Sequence, residues 1–217
     1  MYKPSLILWD WNGTLLDDLS LCVDQLNGLL ERWGYPQQYD LEGYREVFGF
    51  PIRTYYEKAG FDFQRHPFEE LALDYMNHYL PAAERCGLCV GAKQVLHAIQ
   101  QAGIPQVVLS ASPQDVLEEQ VARYGLSDFF DKLLGQKDHY AAGKIETGLA
   151  FIRQHHLDAG QAVMIGDTLH DWEVAKAMGT GCILSASGHH SFQRLSTAGV
   201  PVVENLLAVP SYLNLTR

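Results

Sequence analysis

Short, nearly unbroken apolar runs recur along this chain. Leu6-Ile7-Leu8-Trp9, Gln106-Val107-Val108-Leu109, Ala162-Val163-Met164-Ile165, Gly181-Cys182-Ile183-Leu184 and Val200 to Val203 each read as a buried strand. Strands without polar alternation are covered on both faces, which calls for a parallel sheet between helices. The segments between the later runs supply those helices. They span Ala92 to Ala102 (stopped by Gly103), a stretch opening near Pro113, Thr147 to His156, Asp171 to Met178, and a last stretch near 205–213. The predicted class is α/β, a doubly wound parallel sheet.

The first interval breaks this rhythm. Residues 17–84 contain no convincing strand. Leu19, Cys22, Val23, Leu26, Leu29, Leu30 and Trp33 form one helical stripe, ended by Gly34-Tyr35-Pro36. Further helices are expected near 40–48, 52–59 and 67–80, separated by Gly49-Phe50-Pro51 and Gly60. The reading is an α/β core of residues 1–15 and 86–217 with an all-helical insert of residues 16–85. The chain has 217 residues, 47% of them hydrophobic, which is enough for a core plus a small lobe.

Charge and cysteine content exclude several classes. The formal charge of −10 disfavours nucleic acid as a partner. A small anion can still be held where a cation or a helix N-terminus reverses the local field. Four scattered cysteines make no disulfide framework. Cys86-Gly87-Leu88-Cys89 has redox or half-zinc spacing but no second pair. No secretory signal or membrane-length apolar run is visible, so a cytoplasmic protein with no membrane partner is expected.

The residues with chemistry sit where the strands end. Asp10-Trp11-Asn12-Gly13-Thr14 follows the first strand, and the carboxyl ends of strands are where open α/β sheets bind ligands. Gly166-Asp167-Thr168-Leu169-His170-Asp171 follows the strand ending at Ile165. Its two carboxylates, four apart, are hard oxygen donors of the kind magnesium takes. Asp171 alone also reads as a helix cap. Ser110 ends the strand Val107-Val108-Leu109, and its hydroxyl with the N–H groups of Ala111 and Ser112 could hold phosphoryl oxygens. Lys144, directly before a helix, and Lys137 compete as the fixed cation. Lys144 is preferred, 23 residues before Asp167.

Together these four segments resemble, in order, the motifs of the haloacid dehalogenase-like hydrolases. Asp17 and the helical insert are similar to the phosphoglycolate phosphatase-like branch with a helical cap. The resemblance implies a Rossmann-like core and a magnesium-dependent hydrolase acting on a small phosphorylated metabolite. In that scheme Asp10 is the nucleophile that forms an aspartyl-phosphate. Asp10, Asn12 (through its backbone carbonyl), Asp167 and Asp171 serve Mg2+. Lys144 neutralises the transferring group, and Ser110, Ala111, Thr14 and the cap residue Arg53 meet the substrate.

One departure carries weight. The family's second acid in the first motif is Asn12 here, and an amide cannot exchange a proton at useful pKa. General acid–base help contributes roughly 10² to 10⁴-fold, so slow turnover is expected. His170 is the nearest substitute base by sequence. The alternatives are an impaired magnesium- and phosphate-binding protein, a hydrolase of non-phosphatase chemistry, or an Asp-to-Asn exchange made to trap a ligand. The histidine pairs His155-His156 and His189-His190 read as surface residues. The Asn12-Gly13 pair suggests slow deamidation, unless the fold holds it rigid. The oligomeric state is not legible.

Overall fold

The computed structural model describes residues 3–136 and 143–215; Lys137 lies outside them. The strands are β1 (Leu6–Trp9), β2 (Leu16–Asp17), β3 (Gly87–Leu88), β4 (Gln106–Pro113), β5 (Lys132–Gln136), β6 (Ala162–Gly166), β7 (Gly181–Ser185) and β8 (Val202–Val203). Six of them form one sheet in the order β5-β4-β1-β6-β7-β8, with every pairing parallel. The helices are α1 (Leu19–Arg32), α2 (Leu41–Val47), α3 (Ile52–Lys58), α4 (Phe68–Ala83), α5 (Ala92–Gln101), α6 (Gln114–Arg123), α7 (Lys144–Gln154), α8 (Leu169–Met178), α9 (Phe192–Ser196) and α10 (Val209–Tyr212). This is the doubly wound α/β architecture expected from the sequence.

The pleat of β1 explains why its run is apolar throughout. Ile7 and Trp9 enter a core with α5, α6 and α10, while Leu6 and Leu8 enter a second core with α7 and α8. The sheet is therefore buried on both faces. From β1 the chain moves to β4 and β5 on one side, then returns to β6, β7 and β8 on the other. The loops after β1 and β6 part company there, which opens a crevice at the carboxyl ends of those strands.

The short ribbon strands β2 and β3, the edge strand β5, the end of β4 and helix α9 escaped the sequence reading. β5 is a short edge strand, Lys-Leu-Leu-Gly-Gln, whose charge and glycine dilute any apolar signal. Strand β4 continues past Ser110 to Pro113 with an irregularity after Leu109. Helix α9 is only five residues long.

Helices α1 to α4 gather a core of their own. Leu19, Cys22, Leu26, Leu29 and Leu30 of the α1 stripe are buried with Tyr44, Tyr55, Tyr56, Leu71 and Tyr79, and Val23 and Trp33 are half-buried beside them. Burying each of the larger apolar chains contributes roughly 1.5–3 kcal/mol. The chain leaves and re-enters the sheet region through the antiparallel ribbon β2–β3, where Leu16 faces Leu88 and Asp17 faces Gly87. Among the described residues no helix is long and apolar enough to cross a membrane.

Candidate active site

Strand β1 ends at Trp9, so Asp10 projects from the sheet's carboxyl edge, its N–H held by the Ile165 carbonyl of β6 at 2.9 Å. The register pairs Trp9 with Ile165 and with Val108, which brings the segments after β6 and β4 to the same edge. The carboxylates of Asp10, Asp167 and Asp171 converge there, with ligand oxygens within 4.8 Å of one another. Lys144 opens α7 and reaches both Asp10 Oδ1 at 2.5 Å and Asp171 Oδ1 at 2.6 Å. Thr14 donates its hydroxyl toward Asp167 Oδ1 at 2.9 Å and lies 3.2 Å from Asp10 Oδ2. Asp171 both caps and pairs. Its Oδ2 accepts from the Thr168 N–H and hydroxyl in a capping box, while its other oxygen faces Lys144.

Two glycines make this crowding feasible. Gly13 turns with φ 72°, and a Cβ on it would strike Asp167 and the His189 ring. A Cβ on Gly188 would strike the same Asp167 carboxylate. The chain after β7 thereby comes close enough for the His189 N–H to donate to Asp167 Oδ2 at 2.6 Å.

Burial and charge set the protonation of the cluster. Burial raises Asp10 to about 6 against the pull of Lys144. Burial raises Asp167 to about 8, with Asp10 and Asp171 pushing the same way and His189 pulling against them. Burial also pushes Asp171 upward, yet Lys144 and Thr168 hold it below the usual carboxylate range. Three carboxylates thus gather where the Lys144 ammonium pairs with only two of them, Asp10 and Asp171. This excess of buried hard oxygen donors fits a divalent cation such as Mg2+.

Asn12 is not free beside this cluster. Its Nδ2 donates to Asp18 Oδ2 at 2.9 Å and to the Tyr79 hydroxyl at 2.7 Å, and its Oδ1 accepts from the Ser112 hydroxyl at 2.8 Å. Asp18 is buried and faces His189 Nε2 at 3.3 Å, and His189 Nδ1 meets the Tyr44 hydroxyl at 3.0 Å. Burial would lower His189, but Asp18 and the other nearby carboxylates raise it to about 9. The surface reading of His189-His190 is corrected: both are buried, His189 beneath Phe48 (ring centroids 4.7 Å apart). His190 is lowered to about 3 by burial and by Arg194. Asp18, Cys22 and His189 also have atoms close enough to ligate a metal, yet Asp18 and His189 are already paired with each other.

Ser110 is buried at the same edge, but its oxygen accepts the Ser112 N–H at 3.1 Å. That amide, expected to face a phosphoryl group, is committed within the loop; Ala111 is half-buried beside it. His170 is tilted away from the carboxylates, stacked on Phe50 at 4.6 Å and beside Glu173 at 3.3 Å. Arg53 is not brought to the cluster. Its guanidinium lies 4.4 Å from the Phe63 ring centroid, in a shallow recess with Glu57 and Asp62. On another face of α3, Thr54 and Lys58 line a separate recess of about 120 Å³ with His170, His190 and Arg194. Sequence reading missed Asp18, Tyr44 and Tyr79, and named Ser112 only for its backbone N–H and not for its hydroxyl. Asp18 had one local signal, a second acid beside Asp17 directly before α1.

The helical lobe sits down on the core through two arginines. Arg45 of α2 donates to the carbonyls of Ala186, Ser187 and Gly188 at 2.8–3.3 Å. Arg194 of α9 donates back to the carbonyls of Arg45 at 2.6 Å and Phe48 at 2.8 Å.

A parallel sheet with β1 at its centre, a helical insert after β1 and a lysine-bridged carboxylate cluster at the strand ends define a class of hydrolases. The chain belongs to the haloacid dehalogenase-like hydrolases: the family model matches residues 7–185. It is 25% identical over 197 residues to a phosphoglycolate phosphatase of Pseudomonas syringae pv. tomato, a match covering 86% of this chain and 71% of the relative. It is also 25% identical over 206 residues to the validoxylamine A 7'-phosphate phosphatase of Streptomyces hygroscopicus subsp. limoneus, covering 92% of each chain. A haloacid dehalogenase-like family hydrolase from Streptococcus pneumoniae shares the fold with a TM-score of 0.82. That match has 19% identity and covers 96% of this chain and 98% of that one.

Proposed function

We propose that this chain is a magnesium-dependent phosphatase of small phosphate esters, acting through a phosphorylated Asp10. The observation that carries the reading is the buried cluster of Asp10, Asp167 and Asp171 with the ammonium of Lys144. In this reading an Asp10 oxygen forms a bond to phosphorus as the ester P–O bond breaks. Water then cleaves the acyl phosphate, releasing phosphate and regenerating the carboxylate. Over both steps one proton passes from water to the departing alcohol. Lys144 holds Asp10 in place and offsets charge on the transferring group, and Thr14 orients Asp10 and Asp167. Asp10, Asp167, Asp171 and the Asn12 carbonyl would hold Mg2+, which supplies charge neutralisation to the phosphoryl oxygens.

Residues 16–85 act as the cap in this proposal, seated by Arg45 and Arg194. The non-reacting part of the substrate meets the cap through Lys58 and Thr54, in place of Arg53. The phosphatase names of the relatives support this substrate class. A second reading, a magnesium- and phosphate-binding protein without turnover, is favoured by one observation: Asn12 cannot give or take a proton at a useful pKa at the place the family puts an acid.

Phosphate release from an aryl phosphate, whose leaving group needs little protonation, separates the two. Turnover that requires Mg2+ and falls at least about 10³-fold in Asp10→Asn is the expected result. Magnesium-dependent thermal stabilisation by a phosphate analogue without turnover would establish the binding protein instead.

A further inference from the structure

We infer that the site is built around an amide at position 12 and a carboxylate at position 18, so that Asp18 is the positioning residue for Asn12 and the acid has changed places. The inference goes beyond the proposed phosphatase reading and depends on it only for the kinetic readout.

Donors and acceptors match one for one around the amide. Asn12 Nδ2 has two protons; one goes to Asp18 Oδ2 at 2.9 Å and the other to the Tyr79 oxygen at 2.7 Å. Tyr79 gives its own proton to Asp18 Oδ2 at 2.6 Å. Asn12 Oδ1 takes the Ser112 proton at 2.8 Å. Asp18 Oδ1 takes the Gly13 N–H at 2.9 Å and faces His189 Nε2 at 3.3 Å. Every polar atom of the amide is used. The opposite orientation of the amide would set its oxygen against the Asp18 carboxylate.

A carboxylate at position 12 breaks this match. It has no N–H for Asp18, and it would bring a half-buried carboxylate oxygen to hydrogen-bond distance of the buried Asp18 carboxylate with no proton between them. Restoring the acid that the family's motif carries therefore does not restore a working site in this chain. Exchanging both residues does. An amide at position 18 would donate back to a carboxylate at position 12, and its oxygen would still take the Gly13 N–H and face His189. Tyr79 and Ser112 would then both donate to the relocated carboxylate. Tyr79 belongs to α4, so the pair also ties the residue two positions beyond Asp10 to the seated helical lobe.

The test is a double-mutant cycle on the full chain: native, Asn12→Asp, Asp18→Asn and the exchange of both. Thermal unfolding is read in EDTA, and kcat and KM on an alkyl phosphate and an aryl phosphate are read with Mg2+. Asn12→Asp alone is expected to lower Tm by more than about 4 °C and to raise kcat on neither ester. The exchanged protein is expected to recover most of that Tm and to exceed the kcat of Asn12→Asp by at least about tenfold on the alkyl ester, with KM within about threefold. A gain in kcat from Asn12→Asp alone, or a Tm loss in the exchanged protein equal to the sum of the single losses, overturns the inference. Should Asn12→Asp fail to fold, a folded exchanged protein supports the inference and an unfolded one overturns it. If no variant releases phosphate, the phosphatase reading falls while the Tm cycle still decides the exchange.

Discussion

The carboxylates around Asp10 and the network around Asp18 share one strand end and are equally buried, yet they are balanced differently. In the first, three carboxylates crowd together while the ammonium of Lys144 pairs with only two of them, Asp10 and Asp171, and burial holds Asp10 and Asp167 well above the usual carboxylate range. In the second, Asp18 faces His189, and hydroxyls and an amide satisfy what remains. Satisfied networks rigidify a fold, whereas uncompensated charge is kept where a ligand is to complete it. The contrast separates the part of the edge that does chemistry from the part that holds the lobes in register.

The largest expected effect comes from removing the lysine of the first cluster. Lys144→Met in metal-free buffer should cost about 3–5 kcal/mol by denaturant unfolding, because two buried carboxylates lose their partner. A loss below about 1 kcal/mol would mean that the cluster is not strained by charge, and the contrast would fail. The second effect is a pH dependence from the other network, added to the one the first cluster contributes as Asp10 ionises near 6 and Asp167 near 8. His189 is raised from 6.5 to about 9 on folding, so its contribution is fully present below pH 6.5 and is lost as pH rises through about 9. On the order of 3 kcal/mol of stability from His189 should disappear between about pH 6.5 and 9.5, and His189→Gln should flatten the part of the slope above about pH 8, where Asp167 is already ionised. Equal slopes in the two proteins would show that the pair is not ionised in the fold. The smallest effect is a null one. The Gly13 N–H that would attack the Asn12 side chain in deamidation is already bonded to Asp18 Oδ1 and the Leu16 carbonyl. Peptide mapping after prolonged storage at mildly alkaline pH should therefore find Asn12 intact, and conversion there would mean that the second network opens.

Most of the sheet was legible because a strand covered on both faces needs an unbroken apolar run, as at Leu6–Trp9 and Ala162–Ile165. The edge strand β5 was not, since a strand with one neighbour and a lysine at its start needs no such run. The acidic cluster was legible for a related reason: Asp10, Asp167 and Lys144 each stand at an element boundary that the local pattern marks. The Asp18 network has no such signature. Its members come from α1's entry, α2, α4 and the loop after β7, and only the seating of the helical lobe brings positions 18, 44, 79 and 189 together. His189 and His190, flanked by serines and glycine, looked solvated, and Tyr44 and Phe48 bury them from the far lobe. One clue was present: the pair follows a parallel strand at the same end as Asp10. Arg53 was assigned to the wrong face of its helix, since α3 turns Thr54 and Lys58 toward the seam and stacks Arg53 on Phe63.

The clasp formed by Arg45 and Arg194 grips peptide oxygens, which every amino acid possesses. Its grip at Glu46, Ala186 and Ser187 therefore does not pass through their side chains. The two guanidinium groups keep the halves joined through backbone that is present whatever the sequence along that rim.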